Sequence, residues 1–222
     1  MLIEIVSDLV CPWCYVGKHR LDQALASRDD VQAEIRWVPF QLNPEMPEGG
    51  MDRERYITEK FGDSSHSAQV YRLAEMAAAK DGLSLNMDHI RVTPNTALAH
   101  RAVRYAEDQG VGSAYSDRLF RAYLVDGLDI GDQIVLEDMA EETGLIAGDL
   151  RAFLASEEGA SAIGKADLQA RRMGISAVPT FIFNRHYIVS GAQEAAAFDP
   201  IFDLAILEDD GTASPLFADP RG

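Results

Sequence analysis

The first apolar run, Leu2-Ile3-Glu4-Ile5-Val6, is nearly continuous rather than alternating, which predicts a buried strand over 2–7. A helical spacing follows at once. Cys14, Gly17, Leu21, Ala24 and Leu25 recur at three- and four-residue steps, one inward face of a helix running to about Ser27. A second strand is predicted over 31–40. The length and handedness of this crossover point to two parallel strands in a β-α-β unit.

Asn43-Pro44-Glu45-Met46-Pro47-Glu48-Gly49-Gly50 breaks the pattern as a loop. The next hundred residues read as helix. Val70, Leu73, Ala74 and Ala77 share a face before Gly82, and Leu98, Ala102, Tyr105 and Ala106 repeat the spacing before Gly110. Further helices are predicted over 113–125, 133–143 and 147–154, and no strand-like alternation occurs between 43 and 154. A helix over 156–173 ends at Gly174. Pro179-Thr180-Phe181-Ile182-Phe183 and Tyr187-Ile188-Val189-Ser190 then read as a hairpin turning at Asn184-Arg185-His186. Gly191-Ala192-Gln193 leads into a last helix to about Leu207, and Glu208-Asp209-Asp210-Gly211 begins an acidic tail with little to pack. The plan is β-α-β, a block of helices, then α-β-β-α.

With 222 residues, 47% of them hydrophobic, the chain can bury one substantial core or carry a second domain inserted in the first. Asp and Glu outnumber Lys and Arg by 36 to 20, so the surface should repel phosphate backbones and anionic membranes. Neither nucleic acid nor membrane is an expected partner. Met1-Leu2-Ile3-Glu4 lacks the basic start of a signal peptide, and its apolar stretch is short, so a cytoplasmic protein is expected.

The two cysteines stand together as Cys11-Pro12-Trp13-Cys14 where the first strand hands over to the first helix. Unpaired N–H groups and the aligned peptide dipoles at a helix N-terminus favour an anionic sulfur, which makes Cys11 the candidate nucleophile. Pro12 suits the first helical turn, where a missing N–H costs nothing. Cys14 lies one turn later on the same side, at a Cβ spacing of roughly 5–6 Å that a small adjustment closes into a disulfide. A zinc site would need further soft ligands, and His19, His66, His89, His100 and His186 include no pair at ligand spacing, so no metal is expected.

Other residues near the pair have ordinary explanations beside functional ones. Trp13 reads as a partly exposed contact surface or as packing against the helical block. Asp8 could shuttle a proton or accept a local backbone bond. Lys18 and His19 read as solvated charges. Asn95 and Thr96 follow Pro94 at a helix start and read as caps. Pro179, on pattern alone, reads as a trans proline opening an edge strand.

Four segments carry a resemblance to a known family. They are 7–18 (Ser7-Asp8-Leu9-Val10-Cys11-Pro12-Trp13-Cys14-Tyr15-Val16-Gly17-Lys18), 37–44 (Trp37-Val38-Pro39-Phe40-Gln41-Leu42-Asn43-Pro44), 95–101 (Asn95-Thr96-Ala97-Leu98-Ala99-His100-Arg101), and 174–181 (Gly174-Ile175-Ser176-Ala177-Val178-Pro179-Thr180-Phe181) with Val189-Ser190-Gly191-Ala192-Gln193. In this order the chain resembles thioredoxin-fold proteins of the DsbA type, most closely the FrnE-like branch. That branch is related to 2-hydroxychromene-2-carboxylate isomerases and kappa-class glutathione transferases. The resemblance implies an α/β, thioredoxin-like fold with a mixed central sheet flanked by helices and interrupted by an all-helical insertion. The thioredoxin-like domain would take 1–42 and 155–207, the insertion 43–154 and the acidic tail 208–222.

The resemblance also implies thiol–disulfide exchange, with Cys11 as nucleophile and Cys14 as resolving thiol. Substrates would be protein or low-molecular-weight thiols and disulfides. No resident cofactor is implied, and glutathione is kept as a candidate cosubstrate. It implies a cis bond at Val178-Pro179 beside the redox pair, with Val178 able to pair with an extended peptide. Pro12 and Trp13, between the two cysteines, are further substrate-binding candidates. In relatives that bind glutathione, an asparagine and the turn before the last helix shape the thiol site, which adds Asn95, Gly191, Ala192 and Gln193. Two alternatives stay open, a glutathione-dependent isomerase or transferase and a peptide-binding chaperone, as do a monomer and a homodimer.

Overall fold

The computed structural model describes residues 1–62, 64–207 and 215–217, the side chains of 64–67 excepted. In chain order the elements are β1 (Leu2–Ser7), α1 (Pro12–Ala26), β2 (Glu34–Pro39), β3 (Met51–Asp52), α2 (Arg53–Phe61), α3 (Ser64–Lys80) and β4 (Val92–Thr93). After them come α4 (Ala97–Asp108), α5 (Gly112–Leu124), α6 (Gln133–Glu142), α7 (Ala147–Ala155), α8 (Ala160–Arg172), β5 (Thr180–Phe183), β6 (Tyr187–Ser190) and α9 (Asp199–Leu207). They fall into two compact units, Met1–Phe40 with Gly159–Gly222, and Gln41–Glu158.

The first unit is built on a mixed sheet in the order β2-β1-β5-β6. β1 runs parallel to β2, in register from Leu2 opposite Glu34 to Ser7 opposite Pro39, and antiparallel to β5, with Ile3 opposite Phe183. A strand flanked on both sides and covered on both faces has no polar side to present, which is why its sequence does not alternate. All six residues of β1 are buried. β6 is one of the two edge strands and alternates between half-buried and exposed positions. Asn184 and Arg185 make the hairpin turn with φ of 46° and 69°. Asparagine tolerates that region, and here its side chain adds tertiary bonds. Its Oδ1 accepts the Leu2 N–H at 2.8 Å and its Nδ2 donates to the Ala205 carbonyl at 3.0 Å, tying β1 and α9 to the turn. Phe181, Phe183, Phe198 and Phe202 pack edge to face and stacked behind the sheet, with centroids 5.3 to 6.3 Å apart.

Glu4 is the polar exception in β1, 1% exposed. Its carboxylate accepts the main-chain N–H groups of Leu216 at 2.9 Å and Phe217 at 3.0 Å, and Phe217 is itself buried. The C-terminal segment therefore packs at 216–217, where the sequence suggested little packing. A buried carboxylate must be met by donors, and these come from the far end of the chain. The acidic stretch Glu208-Asp209-Asp210-Gly211 lies outside the described residues.

In the second unit α4 packs on α5 and α7, and α6 on α7. The Arg101 guanidinium of α4 donates to the carbonyls of Phe153, Leu154, Ser156 and Glu158 at 2.7 to 3.2 Å, closing the C-terminal end of α7. Two expectations need correction. A two-residue ladder pairs Met51 with Thr93 and Asp52 with Val92, so the unit is not entirely helical. Strands this short show no alternation, and Asp52 also caps α2 by accepting the Arg55 N–H at 3.0 Å. Among the described side chains of α3 the buried ones are Ala74 and Ala78, whereas Leu73 is 54% exposed. Adjacent apolar stripes on one helix satisfy the same periodicity, and packing selected the one with small residues.

The predicted boundaries move by a few residues. β2 begins at Glu34 rather than 31, and α8 at Ala160 rather than 156, because Gly159 takes a left-handed conformation between α7 and α8. Among the described residues no helix is long and apolar enough to cross a membrane.

Candidate active site

The site begins where β1 ends. After Ser7 the chain turns, with the Cys11 N–H donating to the Asp8 carbonyl at 3.0 Å. Cys11 is the residue preceding α1, with φ −88° and ψ 114°, and Pro12 occupies the first helical turn. The Cys11 carbonyl accepts the N–H groups of Cys14 at 3.0 Å and Tyr15 at 3.3 Å, which is the start of the helical ladder. The spacing-based expectation that the first sulfur sits at the helix N-terminus matches this placement. Both cysteines are free thiols.

The two sulfurs sit in unlike surroundings. Cys11 is 5% exposed and its Sγ lies 3.8 Å from the Val178 carbonyl, a weak thiol donor contact. Cys14 is 1% exposed, and burial pushes its thiol well above the ordinary range. Its hydrogen bond to Cys11 and the Cys11 charge push the same way, while the Ser7 hydroxyl and the Asp8 main-chain N–H pull against them.

Val178-Pro179 is a cis peptide bond, as the resemblance implies and unlike the trans proline that the residue pattern suggested. Pro179 is buried and Val178 half-buried beside exposed Ser176 and Ala177. Gly17 lets α1 come close to this segment: a Cβ there would lie 2.8 Å from Pro179 Cγ and 3.3 Å from the Ala192 Cα. The Gly191 N–H donates to the Pro179 carbonyl at 2.8 Å, with Gly191 at φ 80°. Arg20 reaches across from α1, where its Nη1 donates to the Ala192 carbonyl at 2.7 Å and its Nη2 lies 3.3 Å from Glu194. Cys11, Cys14, Val178, Pro179, Gly191 and Ala192 thus form one connected cluster within the first unit.

Gln193 is exposed and its amide donates to the Ser190 carbonyl of its own turn at 2.8 Å. Trp13 is half-buried. Asn95 belongs to the second unit, where its Oδ1 accepts the Ala97 N–H at 2.9 Å and its Nδ2 donates to the Met46 carbonyl at 2.6 Å. Thr96 makes no side-chain cap bond, so Asn95 does the capping. Asp8 is 1% exposed. Lys18, read as a solvated charge, is instead 2% exposed and paired with Asp22 at 2.6 Å. α1 is covered on nearly every side, and the partner one turn on, half in water, makes that burial tolerable. His19 keeps partial exposure beside the Gln23 amide.

Ser7, Gly17 and Arg20 had no functional reading in the sequence. Gly17 carried the one usable signal, a glycine on the inward face one turn after Cys14. Among the described residues no group of three or more His, Cys, Asp or Glu side chains is placed to hold a metal.

Comparison with known proteins matches residues 2–202 to the DSBA-like thioredoxin domain family. The chain is similar to a probable DsbA oxidoreductase from Streptomyces coelicolor, at 32% identity over 99% of this chain and 94% of that one, with a TM-score of 0.80. It shares its fold with a 2-hydroxychromene-2-carboxylate isomerase, at 14% identity over 96% and 100% of the two chains and a TM-score of 0.70. The same holds for the cytosolic disulfide reductase DsbM from Pseudomonas aeruginosa, at 22% identity over 96% and 100% and a TM-score of 0.63. DsbM has also been solved with GSH.

Proposed function

This chain belongs to the DSBA-like thioredoxin domain family, and from that premise we propose that it catalyses thiol–disulfide exchange with Cys11 as nucleophile and Cys14 as resolving thiol. The observation that carries the reading is the asymmetry of the pair. Cys11 stands at the mouth of α1 and is the less buried residue of the two, and Cys14 is the more deeply buried, with its thiol driven toward the protonated state by that burial.

In the reducing direction, the Cys11 thiolate attacks one sulfur of a substrate disulfide. A Cys11–substrate bond forms, the substrate S–S bond breaks and its other sulfur leaves as thiolate. Cys14 loses its proton and attacks Cys11, expelling the second substrate thiolate and leaving the Cys11–Cys14 disulfide. In the oxidising direction the same steps run backwards. Substrate is held beside the pair by the half-buried Val178 and the exposed residues before it, where an extended peptide or a small thiol fits. Glutathione is the low-molecular-weight candidate, a reading supported by the solved complex of DsbM with GSH. A glutathione-dependent isomerase would need no resolving thiol, and Cys14 is built into the site.

Cys14→Ala separates these readings. The variant should accumulate a mixed disulfide on Cys11 with glutathione or a protein thiol, read by intact mass. Failure to trap any adduct, together with failure of the wild type to form a Cys11–Cys14 bond under mild oxidant, would overturn the proposal.

A further inference from the structure

Ser7 is the last residue of β1, and it is 1% exposed. Its main-chain carbonyl accepts the Phe40 N–H at 3.0 Å, so the sheet fixes where its side chain stands. In the dithiol protein the hydroxyl is fully buried and makes no directed hydrogen bond among the described residues. A buried hydroxyl in that condition costs about 1–3 kcal/mol, and such groups in native structures call for a reason. The thiol it acts on is that of the equally buried Cys14, where the hydroxyl favours the anion, as does the main-chain N–H of Asp8.

We propose that the Ser7 hydroxyl and the Asp8 N–H form a receptor for the thiolate that appears on Cys14 when the Cys11–Cys14 disulfide opens. Ser7 is then a catalytic residue of the exchange reaction. The inference rests on the oxidoreductase reading and deepens it. When an external thiolate attacks Cys11, a new S–S bond forms to Cys11 and the electron pair of the broken bond goes to the Cys14 sulfur. That sulfur is almost sealed from water, so protein donors must meet the charge. The Asp8 N–H is set by the turn that its carbonyl makes with the Cys11 N–H, and the Ser7 O–H is set by the sheet. A donor without a partner in the dithiol becomes satisfied in the thiolate. The stabilisation is therefore greater in the charged state than in the resting one, which is the condition for acceleration. The same two donors serve the reverse step, where Cys14 must be a thiolate to attack the mixed disulfide.

The test is Ser7→Ala in the full chain, with reductive opening of the disulfide by dithiothreitol followed in time. Loss of one hydrogen bond to the leaving thiolate should slow opening about tenfold. The thermal stability of the dithiol form should stay equal or rise, because an unsatisfied buried hydroxyl has been removed, whereas a merely structural serine would lower it. In a Cys11→Ser background, adding Ser7→Ala should move the ultraviolet thiolate absorbance of Cys14 to higher pH. Opening at the wild-type rate, with an unmoved Cys14 titration, overturns the inference and leaves the exchange reading standing. A wild-type protein that neither forms nor opens the disulfide overturns the exchange reading itself.

Discussion

Gly17 of α1 and Pro179 of the cis bond are in such close approach that a β-carbon on Gly17 would meet the proline Cγ at 2.8 Å. The next atoms it would meet are Phe181 Cζ at 3.2 Å and the Ala192 main chain at 3.3 Å, so little can give way. Gly17→Ala should destabilise the protein by about 1–3 kcal/mol in denaturant unfolding, as overpacking does. It should also slow disulfide exchange, because the segment that yields is the one beside Cys11. Gly164→Ala is the control. Nothing lies within 4 Å of a β-carbon there, inside α8, and that change should stabilise by about 0.5–1 kcal/mol.

Arg20 ties the turn after β6 to α1 through the Ala192 carbonyl and Glu194. Arg20→Met keeps most of the buried stem and removes the donors. A loss of about 1–3 kcal/mol is expected from the carbonyl left without its charged partner. Hydrogen exchange at Gly191 should rise, since that N–H donates to Pro179 within the same turn. An unchanged Gly191 protection factor would show that the turn holds without α1.

Glu4 predicts a pH dependence. Burial raises its carboxyl above the ordinary glutamate range, and the Leu216 and Phe217 N–H groups, with the charges of Arg36 and Arg185, work against that rise. The folded protein therefore binds the Glu4 proton more tightly than the unfolded chain does. The stability this contributes is fully present below the unfolded value and is lost as pH rises through the folded one. A chain ending at Ser214 lacks both N–H donors and should lose stability more steeply over that window. The pH-dependent part of the difference between the two chains should be about 1–3 kcal/mol. Parallel stability–pH curves would show that the clasp to Glu4 does not hold the carboxylate.

Arg101 closes the end of α7 by donating to four carbonyls. Arg101→Met should lower the unfolding free energy by about 2–4 kcal/mol, because four carbonyls at one helix end lose a buried charged donor together. Arg101→Lys should recover less than half of that, since one ammonium cannot span the fork that the guanidinium fills. Full recovery by lysine would indicate that charge alone, without the planar geometry, is what α7 needs.

Ser7-to-Lys18 shows how much of the site was legible in sequence. The cysteine pair, its place at a strand-to-helix handover and the glycine one turn on are local facts, visible as spacing. The order of elements around them followed from the periodicity of apolar residues. The cis state of Val178-Pro179 was not in the residue pattern and came only with the family resemblance. Asn95 was read both as a cap and as a site residue; it caps α4 through the Ala97 N–H, and its amide also donates to the Met46 carbonyl, a bond no local pattern showed.

What the amino-acid order determined by itself was everything governed by neighbours in the chain: strand, helix, turn, and a dithiol at a helix mouth. What tertiary structure decided was which buried polar group meets which partner. Glu4 is answered by Leu216 and Phe217, more than two hundred positions away, Arg101 by carbonyls 52 to 57 residues on, and Ala192 by Arg20 across 172 residues. The reason is physical. Backbone geometry and side-chain periodicity act over a few residues, whereas a charge or hydroxyl removed from water takes whichever donor or acceptor the packed chain brings within about 3 Å.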